Sequence, residues 1–378
     1  MYTFKTGTSS SSIKYIFLIG LMVLGCNARS ESENQLDYSE IPIIELNKEF
    51  SITESENYIP AIVMRVMVSQ DGSILVSERS ENSIHQFDSL GNYMLKVAGP
   101  GRGPGELSRY ANPHFSQNRL VMSNNNNFLT EYGQNEEGIF EYIKDYKFRL
   151  PGRLRGFRVE EDQNELFVSV DSVDYPFLEI PPEFTTEFII STKIQNDTLL
   201  DGESIMSLKS HSSYVEITDG GNSMSYSRLP YRYSDYFSVL EGGNLLISRP
   251  SKSSIEILDR DLKPSHHLKL NVEERPVTEK DIEYYFPDNT SSEINDRKRL
   301  ISDVKPPFMR VLLDDSNRFW LMTDETVEGK EFVILSYTGE PIGRVLLPPG
   351  STVHAVRNGK IYTVKMLNET SIDVYSLK

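Results

Sequence analysis

Short apolar runs punctuated by polar turns recur along most of the chain. In the clearest copy, Asp71-Gly72 precedes Ile74-Leu75-Val76, and Ile84-His85-Gln86-Phe87-Asp88 and Gly91 follow. A second copy has Gly242-Gly243-Asn244, Leu245-Leu246-Ile247 and Ile255-Glu256-Ile257-Leu258-Asp259. A third has Asp315-Ser316-Asn317, Phe319-Trp320-Leu321 and Phe332-Val333-Ile334-Leu335, then Gly339. A fourth has Asn358-Gly359, Ile361-Tyr362, Val364 and Ile372-Asp373-Val374-Tyr375. Two weaker copies start at Gln117-Asn118 before Leu120-Val121-Met122, and at Gln163-Asn164 before Leu166-Phe167-Val168. Asp-Gly and Asn-Gly supply the positive φ of tight hairpins. The β-branched and aromatic runs suit pleated, buried strands.

The shorter spacings between these turns match the roughly 40–50 residues of one four-stranded propeller blade. Six copies therefore predict an all-β fold, a six-bladed β-propeller in which each sheet buries both faces against its neighbours. The alternative is a two-sheet sandwich of similar short strands; the length favours the ring. Ile41-Pro42-Ile43-Ile44-Glu45-Leu46 has no turn partner of its own. It is expected to close the ring by pairing with the last blade around Ile372 to Leu377. Two longer spacings predict insertions. One runs near Asp171 to Arg232 and is interrupted by prolines. The other opens with Thr278-Glu279-Lys280-Asp281, which reads as a capping box ahead of a short helix that stops at Pro287. A second short helix is expected over Ile294 to Val304.

The first residues follow a different pattern. Lys5 and Lys14 are the only charges ahead of an apolar run, Tyr15 to Gly25, that ends at Cys26. The run suits a signal h-region and is shorter than the ~20 residues a membrane-spanning helix needs. Residues 1–25 therefore read as a signal peptide. Val23-Leu24-Gly25-Cys26 resembles the lipobox of bacterial lipoproteins, with Leu24 less usual at its position. The resemblance implies that Cys26, the single cysteine of the chain, carries the lipid anchor. Asn27 after it leans toward the outer membrane by the same resemblance. Residues 26–40 are polar and expected to be a flexible tether, and residues 41–378 the propeller.

Composition narrows the function. The formal charge of -16 argues against a nucleic-acid partner. One cysteine excludes a disulfide scaffold and a cysteine zinc site.

A resemblance becomes visible after the first copy. Asp71-Gly72, Asn82-Ser83-Ile84, Phe87-Asp88, Gly91 and the loop Gly99-Pro100-Gly101-Arg102-Gly103-Pro104-Gly105-Glu106-Leu107 resemble an NHL-type repeat. With the lipobox in front, the chain resembles the bacterial lipoproteins described as six-bladed β-propellers. This implies the fold and an envelope location, and no activity.

Candidate chemistry is sparse. The Gly-rich loop lacks the Lys-Ser/Thr of a phosphate-binding loop, and Glu106 opposes an anion, so it reads as a turn between blades. None of the six histidines has metal-ligand spacing, and His266-His267 on a strand point to opposite faces. No cofactor is expected. A channel Ca²⁺, as in propeller lactonases, is the alternative, with Asn82, Asp171 and Asn244 near blade turns. No nucleophile-elbow motif occurs. Glu160-Glu161 and Asp314-Asp315 read as solvated pairs beside turns, and Asn124 to Asn127 as a loop tip.

The segment Tyr226 to Phe237 concentrates Tyr and Arg, the residue types enriched in binding hot spots. Arg228, Tyr231, Arg232, Tyr233 and Tyr236 are its candidate ligand-binding residues, with Arg102 from the Gly-rich loop. The other reading is packing between blades. Arg102, Arg153, Arg155 and Arg158 form a further candidate cluster. The expected function is a membrane-anchored module that binds an envelope protein, peptide or glycan through propeller loops. The alternatives are a metal-assisted hydrolase or lyase in the central channel, and a scaffold subunit of a membrane complex.

Overall fold

The computed structural model describes residues 30–31, 35–107, 111–124, 128–159, 164–171, 184–211, 214–218, 223–227, 229–231, 233–287, 301–367 and 369–378. Its strands form six antiparallel sheets of a β-propeller and one separate hairpin. The first blade comprises Val63–Val68, Ile74–Glu78, Ser83–Phe87 and Tyr93–Ala98. The second comprises Ala111–Ser116, Arg119–Asn124, Phe128–Gln134 and Phe140–Tyr146. The third is built on Arg153–Val159, Asn164–Asp171, Phe184–Gln195 and Glu203–His211. Tyr236–Val239, Leu245–Arg249, Ser254–Leu258 and Pro264–Lys269 form the fourth. The fifth contains Arg310–Leu313, Phe319–Thr326, Gly329–Leu335 and Pro341–Leu347. In the sixth, Ser351–Arg357, Lys360–Leu367 and Glu369–Leu377 are completed by Leu46–Ile52 from the other end of the chain.

The described turns that open the repeats, Asp71-Gly72, Gln117-Asn118, Gly242 to Asn244, Asp315 to Asn317 and Asn358-Gly359, each join the first and second strands of a blade, while Gln163 lies outside the described residues. The simplest is Asn358-Gly359, with φ of 52° and 70°, between paired Arg357 and Lys360. Gln117-Asn118 makes the same two-residue turn without glycine, at φ of 51° and 55°. Both have the paired positive φ of a type I′ hairpin.

The ring follows from strands that are apolar on both faces. Val66 and Val68 pack with Val364 and Val374 of the sixth blade, whereas Met67 between them packs with Leu120 and Tyr132 of the second. Ile74, Leu75 and Val76 divide in the same way. Five further seams between neighbouring blades complete the circle, the blade-one-to-two seam included. Each fully buried aliphatic or aromatic side chain contributes about 1.5–3 kcal/mol. An exposed pair such as Lys263–Asp261, with side chains 73% and 74% accessible, contributes ~0–1 kcal/mol. The seams therefore dominate the stability of the ring.

Closure occurs as expected, with a shifted strand. Leu46 pairs with Leu377 and Ile52 with Ile372. Of the segment Ile41 to Leu46, only Leu46 joins the last blade. Ile43 instead lies beside Arg344 of the fifth, where Ile44 N–H donates to Arg344 O at 2.8 Å. Ile41 is buried in the seam between the fourth and fifth blades. The expected tether is also partly docked. Tyr38 is 3% exposed, its hydroxyl donates to Pro307 O at 2.9 Å, and Leu36 N–H donates to Asn271 O at 2.7 Å. Residues 1–25, expected to be a signal peptide, and Cys26 lie outside the described residues.

The first long spacing is mostly an enlarged third blade, followed by the hairpin of Tyr214–Thr218 and Ser223–Ser227. The second holds the helix Glu279–Tyr285 with its capping box: Thr278 accepts from Asp281 N–H, and Asp281 from Thr278 N–H. Of the second expected helix, residues 294–300 lie outside the described residues. Residues 301–304 are not helical, and Val304 bridges to Pro276.

Candidate functional site

The innermost strands of all six blades start at the same end of the central channel and frame a mouth of about 520 Å³. Four arginines line it: Arg65 from the first blade, Arg153 and Arg155 from the third, and Arg310 from the fifth. His114, Tyr236 and His354 come from the second, fourth and sixth. Among the described residues lining this mouth there is no Asp or Glu. In a chain of formal charge -16 this is a local reversal of sign.

Local backbone irregularity aims these groups. Bulges in the innermost strands leave Met64, Arg155 and His354 without a partner across the strand. A bulge re-aims a side chain out of the regular alternation. All three bulged residues line the mouth.

Hydrogen bonds between blades fix the cluster. Arg65 Nη1 donates to Pro113 O and Arg310 Nη1 to Val353 O, each at 2.9 Å. Each guanidinium thus spends one nitrogen on the neighbouring blade and keeps its remaining N–H groups for the channel. His354 Nδ1 accepts the Val66 backbone N–H at 3.0 Å. That bond places the proton of the neutral ring on Nε2, so the imidazole is a fixed donor. Burial, reinforced by Arg310 and Arg65, lowers the His354 pKa to about 3. His114 shifts to about 3 through burial and then the charges of Arg65 and Arg155. Both rings are neutral at pH 7. Arg65 is reached by solvent from the mouth yet ringed by protein; burial, then the nearby Arg310 charge, lowers its pKa. Arg153 and Arg155 face the buried Glu187, whose Oε1 lies 3.6 and 3.5 Å from them. No described carboxylate pairs with Arg65 or Arg310.

The opposite mouth has two carboxylates, Glu241 and Asp315, against one arginine, Arg357. Arg357 forms an ion pair with Glu241, and Asp315 accepts the Asn358 N–H at 2.7 Å. The basic end is therefore the one suited to a ligand, and an anion is the species that its donors and charge accommodate.

The sequence candidates separate. Tyr236 lines the basic mouth, as do Arg153 and Arg155. Tyr231 is 2% exposed and packs with Ile282 and Phe286 of the helical insertion, its hydroxyl donating to Asp281 at 3.2 Å. Tyr233 donates to Val304 O at 3.2 Å. Both tyrosines hold an insertion; Tyr231 is buried there, whereas Tyr233 is half-buried. Arg228 and Arg232 lie outside the described residues. Arg102 is exposed on the Gly-rich loop and is not among the residues lining the mouth. Arg158 is 1% exposed and pairs with Glu165 at 3.2 Å inside the ring. Asp314, expected to be solvated, has a fully buried carboxylate that accepts from Trp320 Nε1 and Arg318 Nε at 2.8 Å each. Glu160-Glu161 and Asn125 to Asn127 lie outside the described residues.

The proposed Ca²⁺ positions do not share a site: Asn82 donates to Leu107 O at 2.8 Å, whereas Asn244 lines the channel interior. The side chain of Asp171 lies outside the described residues. No three His, Cys, Asp or Glu among the described residues form a cluster able to hold a metal ion. Arg65 and Arg310, the arginines of the mouth with no carboxylate partner among the described residues, were not singled out in the sequence; only the placement of an Arg at the start of an innermost strand could have pointed to them.

No family model matches the chain, and no curated protein does. Solved structures share the fold. A Bacteroides fragilis protein described as exported is 12% identical, with a TM-score of 0.51 over 89% of this chain and 96% of its own. A member of the DUF4221 family from Bacteroides vulgatus is 13% identical, with a TM-score of 0.51 over 90% of this chain and 99% of its own. Virginiamycin B lyase from Staphylococcus aureus is more distant, 10% identical with a TM-score of 0.42 over 89% and 100%. At these identities the likeness is one of fold, and no reaction is carried over.

Proposed function

We propose that the protein is a lipid-anchored binding module of the bacterial envelope that captures an anionic ligand in the arginine-lined mouth of its propeller. The observation that carries the ligand reading is the set of four arginines without a lining carboxylate. Guanidinium groups brought together repel one another, and a bound carboxylate, sulfate or phosphate relieves that repulsion while satisfying their forks. The site is rigid, because each blade supplies its groups from a β-strand rather than a loop tip. The envelope location rests on the signal-like residues 1–25, the lipobox-like Val23 to Cys26 and the NHL-like first repeat. Against the alternative of metal-assisted hydrolysis or elimination stands the same lining, which repels a cation.

Titration calorimetry of the full chain in detergent with acetate, sulfate and phosphate tests the ligand reading. Saturable binding that weakens as NaCl rises and is lost in Arg65→Gln with Arg310→Gln supports it. Absence of binding to all three anions at low salt refutes it. Labelling with palmitate, abolished in Cys26→Ser, tests the anchor separately.

A further inference from the structure

The four arginines fall into two groups that differ in how they are held. Arg65 and Arg310 come from separate blades, have no described carboxylate partner, and are each pinned by a backbone carbonyl of the next blade. Arg153 and Arg155 are two residues apart on one strand and share the single buried Glu187. Glu187 Oε1 makes no hydrogen bond and stands beyond hydrogen-bond distance from both guanidinium groups. One loose negative charge against two positive ones leaves this second group unsatisfied as well. His114 lies between the groups and is influenced by the charges of Arg65, Arg155 and Arg153.

We propose that the mouth binds a small organic dianion that bridges the two arginine groups, one carboxylate-like end on Arg65 and Arg310 and the other on Arg153 and Arg155. This deepens the anion-binding reading and rests on it. The excess of positive charge calls for more than one anionic group on the ligand. The volume of about 520 Å³ fits a small molecule. Met64 and Tyr236, accessible in the lining beside Asn112, Ser238 and Thr352, offer apolar and aromatic surface to a carbon frame, whereas Pro113, Leu154, Phe237 and Val353 are buried. The Nε2–H of His354, fixed by the bond to Val66, adds a neutral donor next to Arg65 and Arg310. Because Arg65 and Arg310 are pinned to the ring and Arg153 and Arg155 spring from one of its strands, the spacing of the two anionic groups on the ligand becomes the basis of selection.

The test is calorimetry of the full chain in detergent with acetate, inorganic phosphate, and the linear dicarboxylates succinate, glutarate, adipate, pimelate and suberate. Bridging predicts that one chain length binds about tenfold or more tightly than acetate, with weaker binding on either side of it. Arg65→Gln with Arg310→Gln, and separately Arg153→Gln with Arg155→Gln, are each expected to lower that affinity about tenfold or more and to flatten the length dependence. Thermal melts check that both double variants fold, and the length series on the wild type stands without them. Acetate binding as tightly as every dicarboxylate overturns bridging and leaves the anion seat intact. Phosphate binding as tightly as the best dicarboxylate also overturns it, in favour of a single compact anion. No binding by any probe overturns the anion seat itself.

Discussion

Acidification will destabilise this propeller before its carboxylates titrate, because two neutral imidazoles are built into the basic mouth. His114 and His354 have pKa values of about 3 in the folded chain. In the unfolded chain a histidine titrates near 6.5. A folded pKa below the unfolded one means that the unfolded state binds more protons as pH falls, so stability declines below about pH 6.5. Integrated from pH 7 to pH 5, the loss is about 2 kcal/mol for each histidine and about 4 kcal/mol for both. For His354 the cause is visible: its Nδ1 lone pair is occupied by the Val66 N–H, so a second proton breaks that bond beside Arg310 and Arg65. The carboxylates act in a lower window. Asp281 and Asp373 sit below the ordinary carboxylate value, burial being outweighed by hydrogen bonds that include those from Lys305 and Lys48. Their contribution is present above about pH 4 and lost only below it. Urea titrations at pH 7, 6 and 5 on the wild type, His114→Asn and His354→Asn give the measurement. Asparagine keeps a hydrogen-bonding atom near the place of Nδ1, and each variant is expected to remove about half of the decline. A urea midpoint constant from pH 7 to pH 5, or a decline as steep in both variants as in the wild type, refutes the reasoning.

Two further perturbations probe buried charge. Asp314→Ala strands the indole N–H of Trp320, the Arg318 guanidinium and the backbone N–H groups of Ser316 and Arg318. Breaking such a buried pair costs about 3–5 kcal/mol, read as a fall in the urea midpoint, with Asp314→Asn falling less. Lys305 donates to Asp281 and Asp324 at 2.7 Å each, and all three are largely buried. Lys305→Met leaves two carboxylates facing each other and is expected to release the helix Glu279–Tyr285 while the ring persists. Hydrogen exchange will show this as loss of protection confined to the helix and its neighbours.

The blades were legible because their signals are local. A turn such as Asp71-Gly72 and the strand after it lie within a few residues and need no partner to be read. The closing strand was misplaced because apolarity is a poor guide at an edge. Leu46–Ile52 is mostly exposed, with only Ile52 buried, whereas of the more apolar Ile41 to Ile44 only Ile41 is buried, between the fourth and fifth blades, and Ile44 packs in part between the fifth and sixth. Within the Tyr-rich segment the residues part ways for a related reason: an insertion needs its own small core, to which Tyr231 contributes, while Tyr236 lines the mouth. The basic mouth was nearly invisible. Arg153 and Arg155 stood out as neighbours in the chain, but Arg65 and Arg310 meet them only because radial packing brings blade beginnings to one axis. The bulges that turn Arg155 and His354 inward have no local sequence signature.

The seam between the first and last strands also sets an order of events for assembly. Leu46–Ile52 leaves the ribosome ahead of the first five blades, yet its partner, Glu369–Leu377, follows all of them. Until then its hydrogen-bonding edge has no native mate, and the circle stays open. A deletion that removes only Glu369–Leu377 therefore also orphans Leu46–Ile52, and the ring closes only when both strands are present.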